Sequence, residues 1–287
     1  MQTMKKLAIP LCIALAYIPT QGFASPIMGP DLNGFAVLGG TTVTNTGKTT
    51  VNGNLGVSPG SAITGFYNTV ENDGPGTFMG RAYQADSEAR LAHNQLGASM
   101  VRLGLMGPGT LEPANLTGLT LDPGVYTVPA ATSNLTGTLT LNGLGKTDQT
   151  WIFLMPSSLI TSVDSKVMLS NMGAGDSVYW DVGSSATLKT NTWFAGNIFA
   201  YASVSLDNGA SILDGRALAY TGAVTLNDNR IVISSGSSGS SAPSATPLPS
   251  AWIMMASGLS LTGFLAYRRK NVPFAAPITA LGIAMSS

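Results

Sequence analysis

Residues 183–229 read GSSATLKTNTWFAGNIFAYASVSLDNGASILDGRALAYTGAVTLNDN, with little charge, no histidine and no cysteine. The same residue types return at nearly fixed intervals. Trp180, Phe199 and Leu218 are spaced by 19, as are Ala200-Tyr201 and Ala219-Tyr220, and Leu188, Leu206 and Leu226 follow at 18 and 20. Short β-prone segments repeating at about 20 residues predict a β-solenoid, in which each pass of the chain pairs only with its neighbours. The unequal spacing predicts loops of unequal length. A β-sandwich is the alternative, since short strands with frequent turns describe it too.

The rest of the chain fits the same reading. Residues 42–46, 119–128, 137–143, 150–155 and 178–183 are rich in β-branched and aromatic residues and bounded by Gly, Asn, Asp or Pro, so each is expected to be a strand. One segment departs from the pattern. Over residues 78–105, Ala82, Ala85, Ala89, Ala92, Leu96, Met100 and Leu103 recur at three and four, the period of an amphipathic helix. Its alanine-rich stripe lets it lie close against a flat sheet. The expected fold is therefore dominated by β-structure: an irregular β-solenoid, residues 25–233, with one long helix alongside.

The two ends read as addresses. Residues 1–24 carry Lys5 and Lys6, an apolar run and small residues at the close, the layout of an export signal. The sole cysteine, Cys12, lies within it, so the mature chain relies on packing and backbone pairing without disulfides. Residues 234–245 form a Ser/Gly linker. Residues 246–270 contain Pro247-Leu248-Pro249, an apolar span at the lower limit for crossing a membrane, and the cluster Arg268-Arg269-Lys270; residues 271–287 extend beyond it. This order resembles the PEP-CTERM sorting signal. The resemblance implies a membrane-engaged tail, an exosortase-type processing protease, and a secreted or cell-surface destination.

Without the basic residues of the two ends, nine basic residues face fourteen acidic ones. The mature domain is mildly acidic and has no basic stripe, which excludes a nucleic-acid surface. Nucleophilic catalysis needs a base beside the nucleophile. The only histidine, His93, sits in the helical segment without Asp, Glu or Cys at ligand spacing, which points to a structural role. No His/Cys cluster offers a zinc site. Asp176/Asp181 and Asp207/Asp214 are candidate carboxylate pairs, yet each stands beside Gly or Asn at a strand end, as turn residues do. Asp86 and Glu88, two apart, do not share a helix face. No enzyme, cofactor or metal is expected, and the domain is expected to be a monomer.

Threonine occurs about thirty times. On a stacked sheet, outward side chains form a grid about 4.8 Å by 6.6–7 Å. Threonine presents a hydroxyl and a methyl on a stiff first torsion, so such a grid orders water at low entropic cost. Threonine is also a good strand former, so its abundance alone does not choose between these uses.

Residues 35–66, FAVLGGTTVTNTGKTTVNGNLGVSPGSAITGF, with 119–126, 136–145, 178–188 and 215–229, resemble the bacterial and fungal ice-binding-protein family over residues 32–233. The resemblance implies an irregular right-handed β-solenoid with a flanking helix, and ice as the partner. It also implies an ice-contacting face carrying Thr190, Thr192, Asn208 and Ser211, on which Trp193 is a misfit. An adhesive or structural role in an extracellular matrix is the alternative. An unbroken Thr/Ser/Ala face favours ice, and interruption by Trp193, Lys166 or Lys189 favours adhesion.

Overall fold

The computed structural model describes residues 27–233. The leader 1–24, the linker, the Pro247-to-Lys270 sorting segment and the extension 271–287 lie outside the described residues. Among the described residues no helix is long and apolar enough to cross a membrane.

The fold is mostly parallel β with one α-helix. Every strand pairing is parallel, and each strand pairs with the equivalent strand of the next pass. The strands stack in three ladders. The first, beside the helix, runs through residues 110–111, 124–127, 150–155, 177–182, 197–200, 216–219, 35–39, 54–57 and 82–84. The second contains residues 159–160, 186–188, 204–206, 224–226, 42–45 and 62–64. The third contains residues 120–121, 138–142, 166–170, 193–195, 211–213, 230–232, 50–52 and 77–79. The long strands Trp193–Ala200 and Ser211–Ala219 bend from the third ladder into the first.

The predicted repeat holds with one correction. Phe199 pairs with Leu218, Ala200 with Ala219 and Leu188 with Leu206. Trp180 pairs with Ile198, not Phe199. That pass is a uniform 18 residues, and the next lengthens at a bulge: Trp193 pairs 18 residues on, with Ser211, whereas Phe199 pairs 19 on, with Leu218. The register slips at Gly196, whose φ of +103° and close approach to the Val178 side chain suit only glycine. Residues 119–128 form two strands, not one, because the chain turns at Asp122-Pro123 from the third ladder into the first.

Residues 35–64 stack on the C-terminal end of the pile: Val37 pairs with Ala217, Val43 with Val224, and Arg230 with Thr50. The chain must then travel back to begin the far end at residue 110. The helix α1, Ser87–Gly104, carries it, spanning about 27 Å at 1.5 Å per residue. It starts later than the expected 78–105. Residues 77–79 and 82–84 still pair as strands, and Ala85 takes a positive φ. Asp86 is the N-cap, not a helical residue, and its carboxylate accepts from the Ala89 amide at 2.9 Å.

Helix residues Ala92, Leu96 and Leu103 bury against Leu38, Leu218, Phe199, Tyr179 and Ile152 of the first ladder. His93 has a structural role here: its Nε2 lies 2.7 Å from the Tyr220 carbonyl and its ring stacks on Tyr220 at 4.7 Å. Between the ladders lies a second core, in which Trp180 stacks on Phe153 at 4.0 Å and Phe153 on Tyr126 at 5.5 Å. Both buried indoles donate to backbone carbonyls, Trp151 to Leu121 and Trp180 to Ala195, so their polar edges are satisfied. Buried Arg216 donates to Asn197 Oδ1 at 2.7 Å and to the Asn33 carbonyl at 2.8 Å, tying the start of the domain to its last passes.

Candidate functional site

The four residues expected to face ice do not share a surface. Asn208 is exposed in a turn and donates to Asp228 at 3.0 Å; Thr190 occupies the equivalent turn one pass away. Thr192 is fully buried. Its hydroxyl lies 2.8 Å from that of Thr161 and 3.3 Å from the Ser162 carbonyl, inside the corner between the second and third ladders. Ser211 stands beside Trp193 on the third ladder. The cause is Asn191, whose φ of +56° turns the chain and resets which residues point outward. Thr192 therefore cannot touch ice, and the set does not form one column.

The second ladder carries what these four residues lack. Its strands alternate buried and partly exposed positions, as a sheet with one solvated face must. Val43, Ile63, Ala186, Leu188, Val204, Leu206, Val224 and Leu226 point into the core. Outward, Thr187, Ser205, Thr225, Thr44 and Thr64 stand in one register-matched column. Ser185, Ser203, Ala223, Thr42 and Ala62 form a parallel one. These ten positions hold no charge and no side chain larger than threonine.

The two columns differ in their hydroxyls. Ser185 Oγ accepts from the Ser203 amide at 3.3 Å and Ser203 Oγ from the Ala223 amide at 3.3 Å, so both are pinned to the next pass. Thr187, Ser205, Thr225, Thr44 and Thr64 make no side-chain hydrogen bond within the described residues, leaving five hydroxyls for solvent. At about 4.8 Å per pass the column is about 19 Å long. Four of its five side chains are β-branched and stiff.

Charge and bulk lie elsewhere. Lys189 sits at the border of this face, paired with Asp207 at 3.3 Å. Lys166 and Trp193 are neighbours on the third ladder. The carboxylates proposed as pairs do not converge. Asp176 accepts the Gln149 and Gly173 amides in a turn, while Asp181 lies at the other end of the strand Ser177–Val182. Asp207 is held by Lys189, and Asp214 takes a positive φ at the bulge. Burial beside the C-terminal end of α1 pushes the Asp181 carboxyl up to about 6. Among the described residues no group of His, Cys, Asp or Glu is placed to hold a metal.

The sequence profile of the Ice-binding-like family matches residues 37–232. The chain belongs to that family. The ice-binding protein of Nostoc sp. (strain HG1) is 40% identical over 229 residues, 79% of this chain and 82% of that protein. The ice-binding protein of Flavobacterium frigoris (strain PS1) is 31% identical over 212 residues, 69% of this chain and 73% of that one. Among solved structures, the ice-binding protein of the Antarctic ascomycete Antarctomyces psychrotrophicus superposes with a TM-score of 0.65 at 31% identity, covering 72% of this chain and 98% of that chain. One from an Antarctic biological consortium gives 0.64 at 35%, covering 73% and 91%. The second ladder carries a regular outer face of small side chains, and the third is crowded by Lys166, Trp193 and Arg230.

Proposed function

We propose that this protein binds ice through the outward face of the second ladder, with Thr187, Ser205, Thr225, Thr44 and Thr64 as the contacting column. In this reading the three ladders are the sides of an irregular right-handed β-solenoid and α1 is its buttress. The observation that carries the proposal is the uncharged column of five hydroxyls in parallel register, continued beyond Thr187 by the β-branched Ile160. Ice is a lattice, so only side chains repeated at fixed intervals can match it. Parallel register supplies one interval, the pleat supplies the other, and β-branching holds the groups in place before contact. Methyls fit between water molecules while hydroxyls replace part of their hydrogen bonding, so the face orders water with little loss of side-chain entropy. The pinned serines beside the column keep successive strands from shifting.

The names of the relatives support the same reading. Interruption by Trp193, Lys166 or Lys189 would favour the adhesive alternative, and the five-residue column contains none of them, Lys189 standing at its border. No catalytic step belongs to this function. The leader and the PEP-CTERM-like tail support export and delivery to the cell surface or medium, with an exosortase-type protease acting on the tail, and the domain working as a monomer.

Partitioning of the full chain into a slowly grown ice hemisphere tests the proposal. Enrichment in ice over an inert protein of similar size is expected; equal exclusion of both contradicts it.

A further inference from the structure

The third ladder has an outward face of a different kind. Lys166, Trp193, Ser211, Arg230 and Thr50 stand in consecutive passes of one column, in that order. Trp193 is 49% exposed, although all three other tryptophans of the chain that could compete for such a place are elsewhere: Trp151 and Trp180 are buried, and Trp252 lies beyond residue 233. Lys166 and Arg230 are exposed and have no carboxylate partner among the described residues. The strands of this face carry no acidic side chain except Asp214, which lies at the bend into the first ladder. Within the column itself the only charged side chains are the cations Lys166 and Arg230, while Asp164 and Asp228 stand in the turns two residues before them.

We propose that this strip is a second binding surface, which takes an acidic polysaccharide. An exposed indole offers a flat apolar platform on which the C–H face of a sugar ring stacks. Lys166 stands one pass from it and Arg230 two passes on the other side. The two cations are therefore about 14 Å apart along the column, with the platform between them. That spacing suits two carboxylates or sulfates a few sugar residues apart on an extended chain, whose intervening rings cross the indole. Ser211 and Thr50 complete the strip with hydroxyl groups that match sugar hydroxyls. The occupant is a glycan and not a membrane because the column has one aromatic among polar residues and the exposed Met168 and Met79 of the same ladder stand on strands five passes apart, where an interfacial surface needs a continuous apolar face. The charge complementarity selects an acidic glycan over a neutral one. This surface is separate from the second ladder, so the inference stands whether or not the protein binds ice.

The test uses the full chain, alginate as the polyuronate probe, amylose as the neutral control, and vesicles containing one-third phosphatidylglycerol, about 30 mol%. Binding to alginate that weakens with salt, and about tenfold or greater weakening by Trp193→Ala and by the double change Lys166→Gln with Arg230→Gln, is expected. Ice partitioning and the melting temperature should not change in these variants. Unaltered alginate binding by both variants overturns the proposal, as does equal binding of amylose, or binding of the vesicles in place of alginate.

Discussion

Asp181 offers a quantitative check on how the helix packs. Its side chain leans out of the first ladder between Leu154 and Phe199, in a pocket of about 410 Å³ also lined by Gly104, Gly107 and Pro108. Burial raises its carboxyl from the model-compound value of 3.8 to about 6. The folded protein therefore holds this proton more tightly than the unfolded chain. Stability is greatest below about pH 4 as far as this group is concerned, falls as pH rises toward 6, and carries the full penalty above it. Two pH units correspond to about 3 kcal/mol. The pocket is open to water on one side, and screening there reduces the expected cost to about 1 kcal/mol. Asp181→Asn removes the charge at nearly constant shape. Thermal unfolding at pH 7.5 should then show the variant more stable by about 1 kcal/mol, or about 2–4 °C for a domain of this size. By pH 4.5 the difference should mostly close. A difference that stays constant across this range, or a wild type more stable at pH 7.5, would show that the carboxylate is compensated and that the packing described around it is wrong.

Thr192→Val leaves the buried Thr161 hydroxyl without its hydroxyl partner, so stability should fall by about 1–3 kcal/mol with ice activity per folded molecule unchanged. Lost ice activity at an unaltered melting temperature would return Thr192 to the contact surface. Ser205 is the one member of the contacting column without a methyl; Ser205→Thr should raise recrystallisation inhibition while stability changes by less than about 0.5 kcal/mol. A drop in inhibition by a well-folded Ser205→Thr protein would argue against a methyl-matched column.

The periodic core was legible because repeated residues stack on themselves: Phe199 over Leu218, Ala200 over Ala219, Leu188 over Leu206. The helix was legible from its alanine and leucine stripe, and its start was not, since Ala82 and Ala85 continue the helical spacing while their backbone is extended or left-handed. Stacking of residues 35–64 on the last passes joins segments about 180 residues apart, and no local period reports it. The site was missed for a related reason. Thr187-Leu188 and Ser205-Leu206 display the alternation of the flat face openly, with hydroxyl out and leucine in. Counting onward from them crosses the turn at Asn191, after which an alternation of period two no longer predicts direction, and Thr192 goes inside. The family resemblance implied a regular face; the proposal that it is the second ladder rests on the register.

The central claim is that ice meets the second ladder and no other side. Tyrosine placed at Thr225, in the middle of the contacting column, and at Thr50, exposed on the third ladder, compares the two sides directly. Both positions point away from the core, so both variants should melt within about 0.5 kcal/mol of the parent. Thermal hysteresis, measured on the two folded proteins at equal concentration, should collapse for Thr225→Tyr, because a ring there holds the ice surface off Ser205 and Thr44 on either side, and should persist for Thr50→Tyr. Hysteresis retained by Thr225→Tyr, or lost only in Thr50→Tyr, would contradict the account.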